Sequence, residues 1–96
     1  MPEMKMLRSV KGLVSGRVQG VGFRYFVMRH AQVENICGYV RNLNDGRVEF
    51  LLQGEADSVS RVIGQIRVGP DYARVSELQL GDCDVISGLT GFLIRR

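Results

Sequence analysis

The chain has 96 residues, a formal net charge of +3, 45% apolar and 24% charged side chains. This is the composition of a single globular domain, so we expect residues 1–96 to form one unit without a linker or second domain. No apolar run is long enough to span a bilayer, the first residues lack a signal-peptide pattern, and the mild positive charge suits small anions better than nucleic acid.

Cys37 and Cys83 have no C-x-x-C spacing, and with the single His30 they are too few for a zinc site. The reading is of two free thiols in a reducing, cytoplasmic setting, with no cofactor and no metal.

In chain order, residues 1–5 are expected to be a frayed start. Residues 6–15 predict a first strand, with Val10, Gly12 and Val14 on one face and Ser9, Lys11, Leu13 and Ser15 on the other. Then comes Gly16–Arg24, G-R-V-Q-G-V-G-F-R, which holds Gly16, Gly20 and Gly22. A glycine turn between a strand and a helix lets backbone N–H groups converge, because glycine tolerates positive φ. The helix start adds unpaired N–H groups and the positive end of its dipole. Arg24 adds a planar guanidinium matched to phosphate oxygens. These features describe an anion pocket; the same residues alone also fit a plain glycine turn with a surface arginine.

Residues 23–34 predict a helix whose Phe23, Phe26, Val27, His30 and Ala31 form an inward stripe. His30 stands nearly two turns beyond Arg24, about 9 Å along the axis, so it is expected to pack rather than to catalyse. Residues 36–43 predict a second strand with Ile36, Gly38, Val40 and Asn42 on one face. Asn44-Asp45-Gly46 signals a hairpin, and residues 47–53 predict the returning strand, ended by Gly54. Ala56, Val59, Val62, Ile63 and Ile66 mark a second helix, stopped at Gly69-Pro70. Residues 75–86 predict a fourth strand bent near Gly81, and residues 90–95 a short last one.

The order β-α-β-β-α-β with an extra short C-terminal strand indicates an α/β (α+β) ferredoxin-like split β-α-β sandwich. Two helices should cover one face of a mostly antiparallel sheet. In that topology strands one and two are parallel and flank strand three, so the glycine loop and Asn42 fall at the same sheet edge. Two strand spacings, on the order of 9–10 Å, separate them, enough for a phosphate and a water. Asn42 is polar on an otherwise apolar face and should have a partner, either a ligand or the adjacent turn.

The sequence resembles the acylphosphatase family. Gly16–Arg24 matches its signature G-x-V-Q-G-V-x-F-R throughout. Gly38, Tyr39, Val40, Asn42, Gly46, Val48 and Gly54 fill every fixed place of a second signature, G-aromatic-V-x-N-x-x-x-G-x-V-x-x-x-x-x-G. Gly69, Pro70, Ala73 and Val75 match a weaker stretch, and Phe92 and Ile94 the closing strand, so the resemblance covers residues 7–95. It implies hydrolysis of a small-molecule acyl phosphate to a carboxylate and inorganic phosphate. It also implies catalytic roles for Arg24 and Asn42. The phosphate cradle would be Gly16, Arg17, Val18, Gln19, Gly20 and Val21, acting through the backbone with Arg24. Arg17 fills a variable place and adds charge, and Gly22 stands where the family often has a larger residue.

Chemistry completes the expectation. A carboxylate leaves readily, so the protein must mainly hold the phosphoryl group and stabilise its charge. Asn42 can position the water, a phosphate oxygen can take its proton, and no metal is called for. Inorganic phosphate or sulfate should inhibit, and a monomer is expected. The alternatives are a non-catalytic anion-binding module, or a nucleic-acid-binding module using Tyr39 and Arg41. The second lacks the full aromatic pattern of an RNA-binding sheet.

Overall fold

The computed structural model describes residues 6–96; the expected frayed start at 1–5 lies outside the described residues. The elements run β1 (Leu7–Arg17), α1 (Phe23–Val33), β2 (Cys37–Asn42), β3 (Val48–Glu55), α2 (Ala56–Val68), β4 (Arg74–Cys83) and β5 (Phe92–Arg95). They build a five-stranded sheet in the order β4-β1-β3-β2-β5. β3 is antiparallel to both β1 and β2, which therefore run parallel to each other, and β5 adds to β2 in parallel. This is the split β-α-β sandwich with its extra strand.

Alternation decides which face carries the helices. Val10 and Val14 of β1, Val40 of β2, and Val48, Phe50 and Leu52 of β3 have no exposed surface. They meet Phe23, Val27 and Ala31 from α1 and Val59, Val62 and Ile66 from α2 in one core. Burying each large side chain contributes about 1.5–3 kcal/mol. Gly12 makes the Phe50 site possible: the two residues face each other across β1 and β3, and a Cβ on Gly12 would lie 2.1 Å from the ring's Cζ. An alanine there would have to displace a fully buried aromatic ring.

Several element boundaries differ from expectation. β1 runs on to Arg17 because a register shift after Ser15 lets Gly16 pair with Val75 and Arg17 with Arg74. β3 continues through Gly54 to Glu55, which pairs with Leu7. β4 stops at Cys83, opposite Ser9, instead of reaching Ile86. Beyond it the chain bends away, and Ile86 is held by the side chain of Gln53 (Ile86 N–H to Oε1 2.8 Å, Nε2–H to the Ile86 carbonyl 2.9 Å). Of the expected α1 stripe, Phe23, Val27 and Ala31 are buried, whereas Phe26 and His30 are half-buried and stack edge-on, with centroids 4.5 Å apart.

Candidate active site

Val18, 1% exposed, pins the loop after β1 into the core. The Gln19 side chain then ties that loop to the β2–β3 hairpin, its Nε2 donating to the carbonyls of Leu43 (2.8 Å) and Arg47 (2.9 Å). The hairpin closes with a Leu43 N–H to Arg47 carbonyl bond of 2.8 Å around Asn44-Asp45-Gly46. Asp45 accepts from the Arg47 backbone (3.1 Å) and Nε (2.9 Å), and these bonds hold its carboxyl below the usual aspartate range. One loop is thereby fixed against the other.

Gly22 caps α1 at φ 77°, a left-handed conformation that a side chain would resist. With no side chain at the cap and no acidic residue in the first turn, the N–H groups at the start of α1 have no side-chain partner. Such a helix start attracts anions.

Here the two signatures meet. Val18, Gly20, Gly22, Phe23, Arg24, Tyr25, Asn42 and Ile94 line one cleft of about 180 Å³. Arg24 is the only charged residue among these lining residues. Its Nη1 donates to the carbonyl of Arg95 on β5 at 3.2 Å, which steadies the guanidinium and leaves most of its five N–H donors for a ligand. Asn42 ends β2 with its Oδ1 buried and accepting no hydrogen bond. The turn that could have claimed this amide is closed by Asp45, Gln19 and backbone bonds instead.

Not every residue of the expected cradle lines this cleft. Gly16 and Arg17 lie in β1, paired with β4, and Gly16 (φ 121°) lets the backbones approach: a Cβ there would meet the Arg74 carbonyl oxygen at 2.1 Å. Val21 packs against the core, and the Gln19 side chain is committed to the hairpin. Conversely, Gly22, Phe23, Tyr25 and Ile94 line the cleft although sequence reasoning does not single them out as site residues. The first three lie inside or beside the first signature, which is the signal that could have found them. Ile94 enters because β5 pairs it with Val40, and the Arg95 carbonyl, as backbone, leaves no mark in a sequence.

On the opposite sheet face Tyr39 Oη and Arg41 Nε both donate to Glu49 Oε1 at 2.8 Å, and the Arg95 guanidinium covers the Tyr39 ring at 4.6 Å. Burial pushes the Glu49 carboxyl up, but the bonds from Arg41 and Tyr39 outweigh it and hold the group below 4.5. Tyr39 is raised, by burial first and by Glu49 second. The ring that a nucleobase would need is thus already stacked.

The acylphosphatase family model matches residues 10–94. An acylphosphatase from Chlorobaculum tepidum is 43% identical over 82 residues, covering 85% of this chain and 89% of that protein. One from Methylococcus capsulatus is 41% identical over 90 residues, covering 94% and 98%. The crystal structure of acylphosphatase from Bacillus subtilis superposes with a TM-score of 0.89 at 34% identity, covering 95% of this chain and all of that one. No helix among the described residues is long and apolar enough to cross a membrane. A cleft bearing one arginine, on a fold shared almost end to end with these enzymes, leads to one conclusion: the chain belongs to the acylphosphatase family, whose chemistry is hydrolysis of acyl phosphates.

Proposed function

We propose that the cleft hydrolyses acyl phosphates without a metal, using a water positioned by Asn42. The observation that carries this reading is the buried, unpartnered Oδ1 of Asn42 in the same cleft as Arg24. A buried acceptor without a donor costs free energy, about 1–3 kcal/mol, unless something arrives to satisfy it.

The phosphoryl group sits against the backbone of the Gly16–Val21 loop and the start of α1, with Arg24 on its oxygens. Val18 and Gly20 touch it, while Gly16, Arg17, Gln19 and Val21 hold the loop in shape. Asn42 Oδ1 accepts a hydrogen bond from the water, whose oxygen attacks phosphorus in line with the departing acyl oxygen. The P–O bond to the acyl group breaks, the electron pair leaves with the carboxylate, and the water's proton passes to a phosphate oxygen. Arg24 and the loop N–H groups stabilise the spread negative charge, which is where most of the barrier lowering arises. Among the described residues no three His, Cys, Asp or Glu side chains gather to hold a metal. Every group the reaction uses comes from one chain, so a monomer suffices. The free thiols of Cys37 and Cys83 favour a reducing, cytoplasmic setting.

The test is hydrolysis of a simple aroyl phosphate in ¹⁸O-water with excess chelator. We expect full turnover, the label in inorganic phosphate, and competitive inhibition by phosphate and sulfate. Label in the carboxylate would place the attack on carbon and overturn the mechanism. Loss of activity with chelator and its return with magnesium would overturn metal independence. Phosphate binding without turnover would leave an inert anion-binding module. A His30→Gln variant should keep its pH profile near neutrality.

A further inference from the structure

Among the described residues, the one hydrogen bond on the Arg24 guanidinium goes to the Arg95 carbonyl, at 3.2 Å. What holds that carbonyl therefore holds the cation. Arg95 is the last residue of β5, a four-residue edge strand that pairs only with β2. The strand's own ladder restrains its end weakly, and the Arg95 side chain supplies a second hold.

The register sets Leu93 beside Tyr39 and Arg95 beside Arg41. Val40 is fully buried against the helices, so by alternation Tyr39, Arg41 and Arg95 turn to the opposite face of the sheet. Arg95 thus gives its carbonyl to Arg24 and its guanidinium to the far face. There the guanidinium lies 4.6 Å from the Tyr39 ring centroid, and it has no ion-pair partner among the described residues. The ring is itself anchored. Tyr39 Oη donates to Glu49 Oε1 at 2.8 Å, and Arg41 Nε grips the same oxygen at 2.8 Å. The Glu49 side chain is only 13% exposed. Glu49, Tyr39, Arg95 and Arg24 therefore form one unbroken line of contacts through the sheet.

We infer that Tyr39 is a positioning residue for the catalytic cation: its ring, anchored by Glu49, fixes Arg95, and the Arg95 carbonyl fixes Arg24. The inference rests on the hydrolase reading above for the role of Arg24. Neither Tyr39 nor Arg95 lines the cleft, so their effect on the reaction passes through the Arg24 guanidinium. A cation is attracted to the face of a tyrosine or a phenylalanine alike, so the ring matters more than its hydroxyl.

The test compares Tyr39→Leu, Tyr39→Phe, Arg95→Ala and Arg96→Ala by kcat/KM on an aroyl phosphate and by affinity for inorganic phosphate. Tyr39→Leu should lower kcat/KM about tenfold, between the few-fold value of an exposed cation–ring contact and the roughly hundredfold cost of a misplaced catalytic group. Phosphate binding should weaken in parallel, since Arg24 holds the phosphoryl group. Tyr39→Phe keeps the ring and should recover most of the loss. Arg95→Ala keeps the carbonyl but loses the cation, and should match Tyr39→Leu. The double variant Tyr39→Leu, Arg95→Ala should be no worse than either single one, because both remove the same contact. Arg96→Ala removes an equal charge one residue further on and should match the parent. A merely structural Tyr39 would lower the melting temperature and leave kcat/KM and phosphate affinity parental in the folded protein. That result, additive losses in the double variant, or an equal loss in Arg96→Ala would overturn the inference. If Tyr39→Leu does not fold, Arg95→Ala, at an exposed position, decides the question against Arg96→Ala. A parent protein without turnover would overturn the hydrolase reading, and phosphate affinity across the same variants would then test the positioning by itself.

Discussion

The two ends of the sheet solve the same problem with the same residue type. At the far end Gln53 clamps the segment after β4, and both halves of its amide are used on Ile86. At the other end Gln19 clamps the hairpin, and its Nε2 is used twice. The difference lies next door. Beside Gln19, Asn42 Oδ1 accepts nothing and α1 begins without a side-chain cap. Satisfied polar groups close one end; the other is held as firmly but left with acceptors and donors to spare, the mark of a site kept in readiness. Ser9 warns against reading this too simply. It is 2% exposed, its Oγ lacks a partner too, and it lies opposite Gln53 at the far end. An orphaned polar atom points to function only where a cleft and a cation accompany it.

Substitutions at the site end should give the largest effects. Arg24→Ala should lower kcat/KM by about 10³ or more, the scale seen for a transition-state arginine, and weaken phosphate binding as well. Asn42→Ala should lower kcat by about 10²–10³ with phosphate affinity nearly unchanged, since it acts mainly as the reaction proceeds. Because its Oδ1 holds nothing in the folded protein, the melting temperature should also hold. Calorimetry, kinetics and thermal unfolding of both variants decide this; an Asn42→Ala protein that binds phosphate as poorly as Arg24→Ala would refute the water-positioning role.

The two clamps should then part company. Gln53→Ala leaves the Ile86 N–H and carbonyl unpaired and should cost about 1–3 kcal/mol in denaturant unfolding, with kcat of the folded enzyme unaltered. Gln19→Ala should cost a similar amount of stability but also lower kcat, because the loop loses its tie to the hairpin that follows Asn42. Equal losses of activity in the two variants would erase the distinction between the ends.

A smaller effect is expected from Glu49, which faces away from the cleft. Its carboxyl is held below the usual glutamate range in the folded protein by the bonds from Arg41 and Tyr39, so between the folded and unfolded values the unfolded chain binds more protons and stability rises with pH. Its contribution is complete above the unfolded value and fades as the pH falls through the lowered folded value. Glu49→Gln should flatten that part of the acid unfolding curve. The smallest change is Ser9→Ala, expected within about 1 kcal/mol of the parent and on the stabilising side, since it removes a buried hydroxyl with no partner. A clear loss of stability there would show that Ser9 Oγ is satisfied in solution.

The arrangement of the elements is legible in the sequence because alternation and helical spacing are properties of single segments: Val10, Val14, Val40 and Val48 declare their face by spacing alone. The meeting of Arg24 with Asn42 is legible too, since parallel strands with a third between them leave both residues at one edge. What escapes the sequence is whatever depends on a partner strand. β4 ends at Cys83, its last pairing being with Ser9 although β1 itself runs on to Leu7, and nothing between Cys83 and Ile86 announces that. β1 extends to Arg17 through a register shift that only the pairing reveals. Gln19 is expected to lend its backbone to the cradle; that its side chain also ties the loop to the hairpin depends on where β2 and β3 bring that hairpin, which no residue letter states.

The bond from Arg24 to the Arg95 carbonyl spans 71 positions of sequence. It joins the first helix to the last strand, which sits at the edge of the sheet beside β2. Contacts so distant along the chain form slowly and late. In a refolding experiment we expect the core to report native burial before the arginine is held in place, so catalytic competence should lag behind compaction. Turnover would then serve as a clock for the final event in folding, the closing of the sheet's parallel edge.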